Sequence, residues 1–357
     1  MRKTRILIVD DAVVVRRCLA DVLGGDPAFE VVGTAANGQI ALAKIHQLNP
    51  DVVLLDVEMP ELDGKATLLA IRQKNPVLPV IMFSSLTERG APATLELLAL
   101  GASDYAAKPA NFGSIEAASQ FIREHLVPKI KALFSSPDAN DRPAPAAVIT
   151  PRPPARSPGR IDIVAIGAST GGPHALTTLL PSLPADFPVP IVIVQHMPAT
   201  FTRLLADRLN QQSPIAVREA ATGDVLQPGT AWIAPGDLHM VVKTEGARTR
   251  LHIYKGPPEN SCRPAVDVLF RSVAETFGER ALAVVLTGMG KDSLRGCEQI
   301  QQAGGQILAQ DQPTSVIWGM PGNVAQAGLA DKVLPLEQIA AEIGRRVRFG
   351  RHSTPAS

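Results

Sequence analysis

The chain is poor in aromatic residues. Two Trp, two Tyr and ten Phe make up 4% of 357 positions. Its cores must therefore be built from Val, Leu, Ile and Ala, the residues that fill parallel sheets covered on both faces. Cysteine is scarce too: Cys18, Cys262 and Cys297 form no CxxC pair and are odd in number, which argues against a disulfide framework or a zinc knuckle. Neither sign of charge is in excess, with 35 Lys and Arg against 34 Asp and Glu. A nucleic-acid binder carries a basic face or domain, and this balance gives no support for one. No apolar run approaches the roughly 18–20 residues that span a bilayer. The apolar stretch behind Met1-Arg2-Lys3 is too short for a signal peptide. These absences predict a cytoplasmic chain with no nucleic-acid partner and no membrane insertion.

What is present suits globular domains. Apolar residues make 45% and charged residues 19% of the chain, and 357 residues at roughly 150 per domain suggest two domains. From residue 1 to 134, strands at Ile6–Val9, Val31–Gly33, Val52–Leu55, Val80–Phe83 and Ser103–Ala106 alternate with helices at Val13–Leu23, Gln39–Leu48, Lys65–Arg72 and Thr94–Leu100. One longer helix is expected over Gly113–Phe134. That alternation predicts a doubly wound, five-stranded parallel sheet.

Residues 135–160 hold Pro137, Pro143, Pro145, Pro151, Pro153, Pro154 and Pro158, a composition that reads as an extended, semi-rigid linker. It is either a tether that lets two domains dock and separate or a passive spacer. A second α/β domain is expected over 161–346, with a hairpin-like insertion near 230–253 and a frayed tail at 347–357. Its strands lie at Ile161–Ile166, Pro190–Val194, Ile215–Arg218, Thr230–Ile233, His239–Lys243, Thr249–Ile253, Ala281–Leu286 and Gln306–Ala309.

Chemistry-bearing residues fall at strand ends. Asp10 and Asp11 close the first strand and Asp56 the third. Ligands of an open parallel sheet collect at the carboxyl ends of its strands, so these carboxylates converge and call for a hard cation such as Mg²⁺. Ser84 ends the fourth strand and Lys108 follows the fifth, a hydroxyl and an ammonium suited to a phosphoryl group. Asp56 is placed to attack phosphorus and form an acyl phosphate. The joint pattern Asp10-Asp11, Asp56-Val57-Glu58-Met59-Pro60, Ser84-Ser85 and Lys108-Pro109 resembles the flavodoxin-like receiver domain of two-component response regulators. That resemblance implies that Asp56 accepts phosphate from a histidine kinase and that Asp10 and Asp11 hold Mg²⁺. It also implies that the Glu58 main-chain carbonyl assists the metal and that Ser84 and Tyr105 take the switch positions.

In the second domain, Gly167-Ala168-Ser169-Thr170-Gly171-Gly172-Pro173 joins a strand to a helix. The small residues permit a tight turn that exposes Ser169 beside backbone N–H groups, a layout for a nucleophile. Phosphate binding is the rival, disfavoured because no Lys follows the glycines. A serine needs a base, and His196 follows the next apolar strand. Asp292, in Gly288-Met289-Gly290-Lys291-Asp292-Ser293, is either the carboxylate that orients this base or the N-cap of the following helix. His174 and His239 compete less well. The chain order Ser, His, Asp differs from that of the α/β-hydrolases.

Together with Gln195–Pro198, Gly223–Gly229, Ile233–His239 and Pro264–Phe270, these segments resemble the chemotaxis protein-glutamate methylesterases, which join a receiver to an esterase. The resemblance implies a doubly wound esterase domain with a small antiparallel hairpin and a Ser169 nucleophile. His196 is then the acid–base, Asp292 its partner and the Met289 N–H an oxyanion donor. Substrates would be methylated glutamates, and glutamines for deamidation, on methyl-accepting chemoreceptors. The esterase would need no metal, and phosphorylation would shift a docked receiver towards an open state. A non-catalytic adaptor for a receptor or kinase array is the second reading. Two residues depart from the family pattern: Ser293 stands where Gly is usual, adding a hydroxyl that would compete beside Asp292, and Ala265 stands where Ser is usual.

Overall fold

The computed structural model describes residues 2–84, 90–109, 114–134 and 159–349. Nearly all of the proline-rich segment, Ser85 and the last eight residues lie outside them. The chain divides into two compact units, Met1–Pro137 and Asp138–Ser357. Among the described residues no helix is long and apolar enough to cross a membrane.

In the first unit the elements run β1 (Thr4–Val9), α1 (Val13–Gly24), β2 (Phe29–Ala35), α2 (Gly38–Leu48), β3 (Val52–Asp56), α3 (Gly64–Lys74), β4 (Val80–Ser84), α4 (Gly90–Ala99), β5 (Asp104–Ala107), α5 (Ile115–His125) and α6 (Val127–Phe134). The strands are paired in the order β2-β1-β3-β4-β5, all parallel. Ile6, Leu7, Ile8 and Val9, and every residue of β3 and β4, are buried, because helices cover both faces. The helices start where local chemistry supplies a cap. Asn37 accepts from the Ile40 N–H, Asp63 from Ala66 and Ser114 from Ala117. α1 buries Val15, Cys18, Leu19, Val22 and Leu23, the spacing of one helix face. The single helix expected over Gly113–Phe134 is two helices, α5 and α6, which meet at Leu126. Pro128 brings no N–H to continue the ladder.

The second unit adds β6 (Ile163–Ala168), α7 (Gly172–Leu179), β7 (Ile191–Gln195), α8 (Ala199–Gln212), β8 (Ala216–Glu219), β9 (Thr230–Ile233), β10 (His239–Glu245), β11 (Arg248–Tyr254), α9 (Val266–Phe277), β12 (Ala281–Val285), α10 (Leu294–Gln302), β13 (Gln306–Gln310), α11 (Met320–Gln326), β14 (Lys332–Leu334) and α12 (Leu336–Arg348). Seven strands form one sheet in the order β14-β13-β12-β6-β7-β9-β8, parallel throughout. The hairpin is β10–β11 alone. β9, expected within that insertion, belongs to the main sheet, where it pairs with β7 and β8. The strand β14 and the helix α12 carry no strong sequence signal of their own. α12 runs past the expected domain end at residue 346, and Val347, placed in the tail by the sequence, is fully buried.

The chain leaves β6 on one side towards β7 and later returns to its other side through β12 and β13. That reversal opens a crevice at the carboxyl ends of β6, β7 and β12, the place where such sheets bind ligands.

Candidate active site

Each unit gathers its chemistry at the ends of its parallel strands. In the first, Asp10 and Asp56 are buried and Asp11 is exposed. One carboxylate oxygen from each lies within 4.8 Å of the others. The Lys108 ammonium reaches Asp10 Oδ2 at 2.8 Å and Asp56 Oδ2 at 2.7 Å, and Asp56 Oδ1 accepts the Val57 N–H at 2.7 Å. Burial, with the Asp10 charge beside it, pushes the Asp56 carboxyl up to about 6, against the pull of Lys108. Burial also works to lower the Lys108 pKa, but its two carboxylate partners raise it overall. Three oxygen donors and no nitrogen or sulfur suit Mg²⁺. The Glu58 side chain is exposed on the loop after β3 and its carboxylate is not in the cluster. Ser84 is buried at the end of β4. Tyr105, one position into β5, is packed so that burial raises its pKa, with the Lys129 ammonium 5.2 Å from its ring.

In the second unit, register sets the site. Ala168 pairs with Gln195 across β6 and β7, so Ser169 and His196 each stand one residue past the paired ends, on strands about 5 Å apart. The His196 N–H donates to the Ala168 carbonyl at 3.1 Å. The Gln195 amide spans the gap, donating to the Ser169 carbonyl at 2.9 Å and the His196 carbonyl at 3.4 Å. Gly172 makes room for it, because a Cβ there would overlap the Gln195 carbonyl. From the β12 side, the Ser169 N–H donates to the Thr287 carbonyl at 3.0 Å. Gly288 allows this approach: a Cβ would lie 2.8 Å from the Ser169 Cβ. The loop that follows carries Met289, whose N–H enters no hydrogen bond among the described residues.

Asp292 bonds His196 Nε2 at 2.8 Å and is almost fully buried. Its Oδ2 also accepts the Val266 N–H at 2.6 Å, and its Oδ1 accepts the Asp267 N–H at 2.9 Å and the Asn260 amide at 3.0 Å. Asp292 therefore is an N-cap, but of α9 rather than of the helix that follows it. That helix, α10, is capped by Asp267 of α9, which accepts from Ser293 N at 3.1 Å and Gly296 N at 2.7 Å. The two helices exchange caps. Burial raises both carboxyls, but His196 and the backbone donors bring Asp292 below the usual range, while Asp267, next to the Asp292 charge, stays above it. His196 loses by burial and gains from Asp292 and Cys262, and is pushed up to about 9. Among the described residues no hydrogen bond joins the Ser169 hydroxyl to His196, a link often open before substrate binds.

The pairing of these two strand-end sites on one chain is matched by sequence. Residues 164–343 match the CheB methylesterase family model, and residues 6–120 match the response regulator receiver domain model. The chain belongs to the protein-glutamate methylesterase/protein-glutamine glutaminase family. It is 55% identical to the enzyme so named from Trichodesmium erythraeum, over 97% of this chain and 100% of that one. It is 51% identical to that of Nocardioides sp., over 98% and 97%. The CheB methylesterase catalytic domain of Thermotoga maritima superposes with a TM-score of 0.51 at 42% identity, covering 52% of this chain and 99% of that one.

Several residues around His196 and Asp292 escape sequence reasoning. Asn260 bridges Asp267 at 2.8 Å and Asp292 at 3.0 Å, and Cys262 Sγ lies 3.7 Å from His196 Nδ1. Both sit on one turn, and the only signal for it is the polar run Glu259-Asn260-Ser261 before Pro264. His239 is removed from the chemistry: both ring nitrogens are engaged, with the Pro257 carbonyl at 2.9 Å and the Ala265 N–H at 3.3 Å. His174 is exposed on α7. Ala265 occupies the N-cap position of α9 with no side-chain bond, and Asp292 does the capping instead. Ser293 does not compete for Asp292. It is fully buried, its hydroxyl has no partner, and its φ of 120° is a conformation that favours Gly.

Two outcomes follow from this geometry. Ser293→Gly relieves both strain and an unpaired hydroxyl, and should stabilise the esterase unit by about 1–3 kcal/mol; an unchanged or lower thermal midpoint would contradict this. In Mg²⁺-free buffer, carbon-detected NMR should find the Asp56 carboxyl titrating near 6. Added Mg²⁺ favours the charged form, so the midpoint should move down; a midpoint near the ordinary value without metal would refute the burial argument.

Proposed function

We propose that this chain hydrolyses glutamate γ-methyl esters on methyl-accepting chemoreceptors, and deamidates receptor glutamines by the same chemistry, under control of phosphorylation at Asp56. The supporting observation is the His196–Asp292 bond held level with Ser169, each residue one past the last β6–β7 pair, where three strand ends meet. Ser169 attacks the ester carbonyl. His196 takes its proton on Nδ1, because Nε2 is held by Asp292. The oxyanion is met by the free Met289 N–H, preorganised by the loop packed against Ser169. Methanol leaves with a proton returned from His196, and water activated by the same nitrogen releases the glutamate. This chemistry draws on no metal in the esterase.

In the receiver, Asp10, Asp11 and Asp56 are the side chains that would hold Mg²⁺, with Glu58 contributing its main-chain carbonyl. Mg²⁺ bound there would offset negative charge on a phosphoryl group. Lys108 holds Asp56 in place and supplies a second positive charge, and Ser84 and Tyr105 read the change. A histidine kinase is the phosphodonor.

Methanol release from methylated receptors, with and without acetyl phosphate, tests the whole reading. Ser169→Ala should lower the rate by about 10³-fold or more, and Asp56→Asn should remove the stimulation while leaving the basal rate. Persistent turnover in Ser169→Ala would favour an adaptor with a contaminating hydrolase. The base must be neutral to accept a proton, and its pKa is raised to about 9. So kcat/KM should climb about tenfold per pH unit from 7 towards 9; a profile flat above pH 7 would show that His196 is already neutral.

A further inference from the structure

The nitrogen that must accept the serine proton faces a thiol. Cys262 Sγ lies 3.7 Å from His196 Nδ1. A tetrahedral Zn²⁺, with Zn–S about 2.3 Å and Zn–N about 2.0–2.1 Å, holds its sulfur and nitrogen ligands about 3.6 Å apart. The pair is therefore already at the separation a thiophilic cation imposes, and His196, Cys262 and Asp292 together present one donor atom each within 4.8 Å. Asp292 is the outer partner of this set, since its oxygens are taken up by His196, Val266, Asp267 and Asn260. A carboxylate on the far ring nitrogen fixes the tautomer and aims the near one, the usual support of a metal-bound histidine.

The thiol is held in place by a built turn. Glu259 and Cys262 exchange backbone hydrogen bonds of 2.9 and 3.1 Å. Between them Asn260 and Ser261 have φ of 53° and 62°, two consecutive side-chain-bearing residues in the left-handed region. Such strain persists only where the surroundings enforce it. Here Asn260 is tied to both Asp267 and Asp292, and Glu259 is clamped by Arg271 at 2.7 and 3.3 Å. The turn thus fixes Cys262 against His196. Cys262 is half-buried and the His196 side chain is 13% exposed, so both are reachable. The other two cysteines are buried.

We propose that Cys262 Sγ and His196 Nδ1 form a binding site for a thiophilic divalent cation, Zn²⁺ foremost, whose occupancy blocks the esterase. Water completes the coordination, and the thiol gives up its proton to solvent as the sulfur–metal bond forms. The cation and the Ser169 proton compete for one lone pair. Blockage therefore rests on the reading of His196 as the base; binding does not. Mg²⁺ prefers oxygen ligands, so the ion that serves the receiver does not fill this site.

Full-length protein in excess Mg²⁺, titrated with Cd²⁺, should develop one equivalent of the ultraviolet thiolate-to-metal charge-transfer band. Cys262→Ala and Cys262→Ser should lose it, His196→Gln should weaken it, and Ser169→Ala should keep it. In the methanol assay, with each variant scaled to its own metal-free rate, Cys262→Ala should need about 10- to 100-fold more Zn²⁺ for half-inhibition. A wild-type protein with no band, or a band that survives Cys262→Ala, overturns the site. Equal Zn²⁺ sensitivity of wild type and Cys262→Ala overturns the blockage. Because the band is read without turnover, a protein that shows it but releases no methanol refutes the esterase reading and still supports the site.

Discussion

The crossed caps between α9 and α10 are the constraint on which the esterase unit depends. Asp292, just ahead of α10, satisfies the first N–H groups of α9. Asp267, in the first turn of α9, satisfies those of α10. Each helix end would otherwise bury unpaired donors, and each carboxylate would otherwise be a buried, uncompensated charge. The exchange meets both needs, and α9 in turn buries Val266, Leu269, Phe270 and Val273 in the main core. It also leaves one Asp292 oxygen directed at His196. The orientation of His196 is thus a by-product of how two helices are stapled together, which gives it a rigidity that a loop carboxylate without such partners would lack.

The receiver shows the complementary solution. There each buried carboxylate has one oxygen on a local backbone N–H, Asp10 on Ala12 and Asp56 on Val57, and the other on a single ammonium, Lys108, which the two share. Burial leaves Asp56 closer to neutral than an ordinary aspartate, so its charge state responds to any cation or phosphoryl group that enters. One unit thereby holds a carboxylate firmly ionised, below its usual range. The other keeps one near its tipping point. These opposite settings suit a constant orienting partner and a modifiable acceptor.

Much of this was legible in the amino-acid order. The apolar runs that end in Asp10, Asp56, Ser84, Gly167 and Gln195 are buried strands, and parallel topology brings their ends together. What the sequence reading lacked were features whose cause lies elsewhere in the fold. α12 runs on to Arg348 with Val347 fully buried, although the residues after 346 read as a tail. Its charges find partners within the helix and beside it: Glu342 meets Arg345, Arg346 and Lys332, and Arg346 also meets Asp331. The helix expected over Gly113–Phe134 is divided at Leu126, two residues before Pro128, a boundary that periodicity alone runs through. Ser293 stands out in sequence as a departure from the usual Gly, but only its backbone angle explains why Gly is usual there.

The sequence by itself determined the strand-end placement of the reactive residues, because period, length and turn chemistry are local properties. Tertiary structure alone decided the partners. Asp292 could have capped its own helix, but burial of two helix ends side by side made it cap the neighbour and orient His196. Cys262 reached His196, and Asn260 reached Asp292, because a strained turn that lies 66 and 64 residues beyond His196 along the chain is pinned from several sides. Such contacts arise from long-range packing, for which no local pattern in the chain is a proxy.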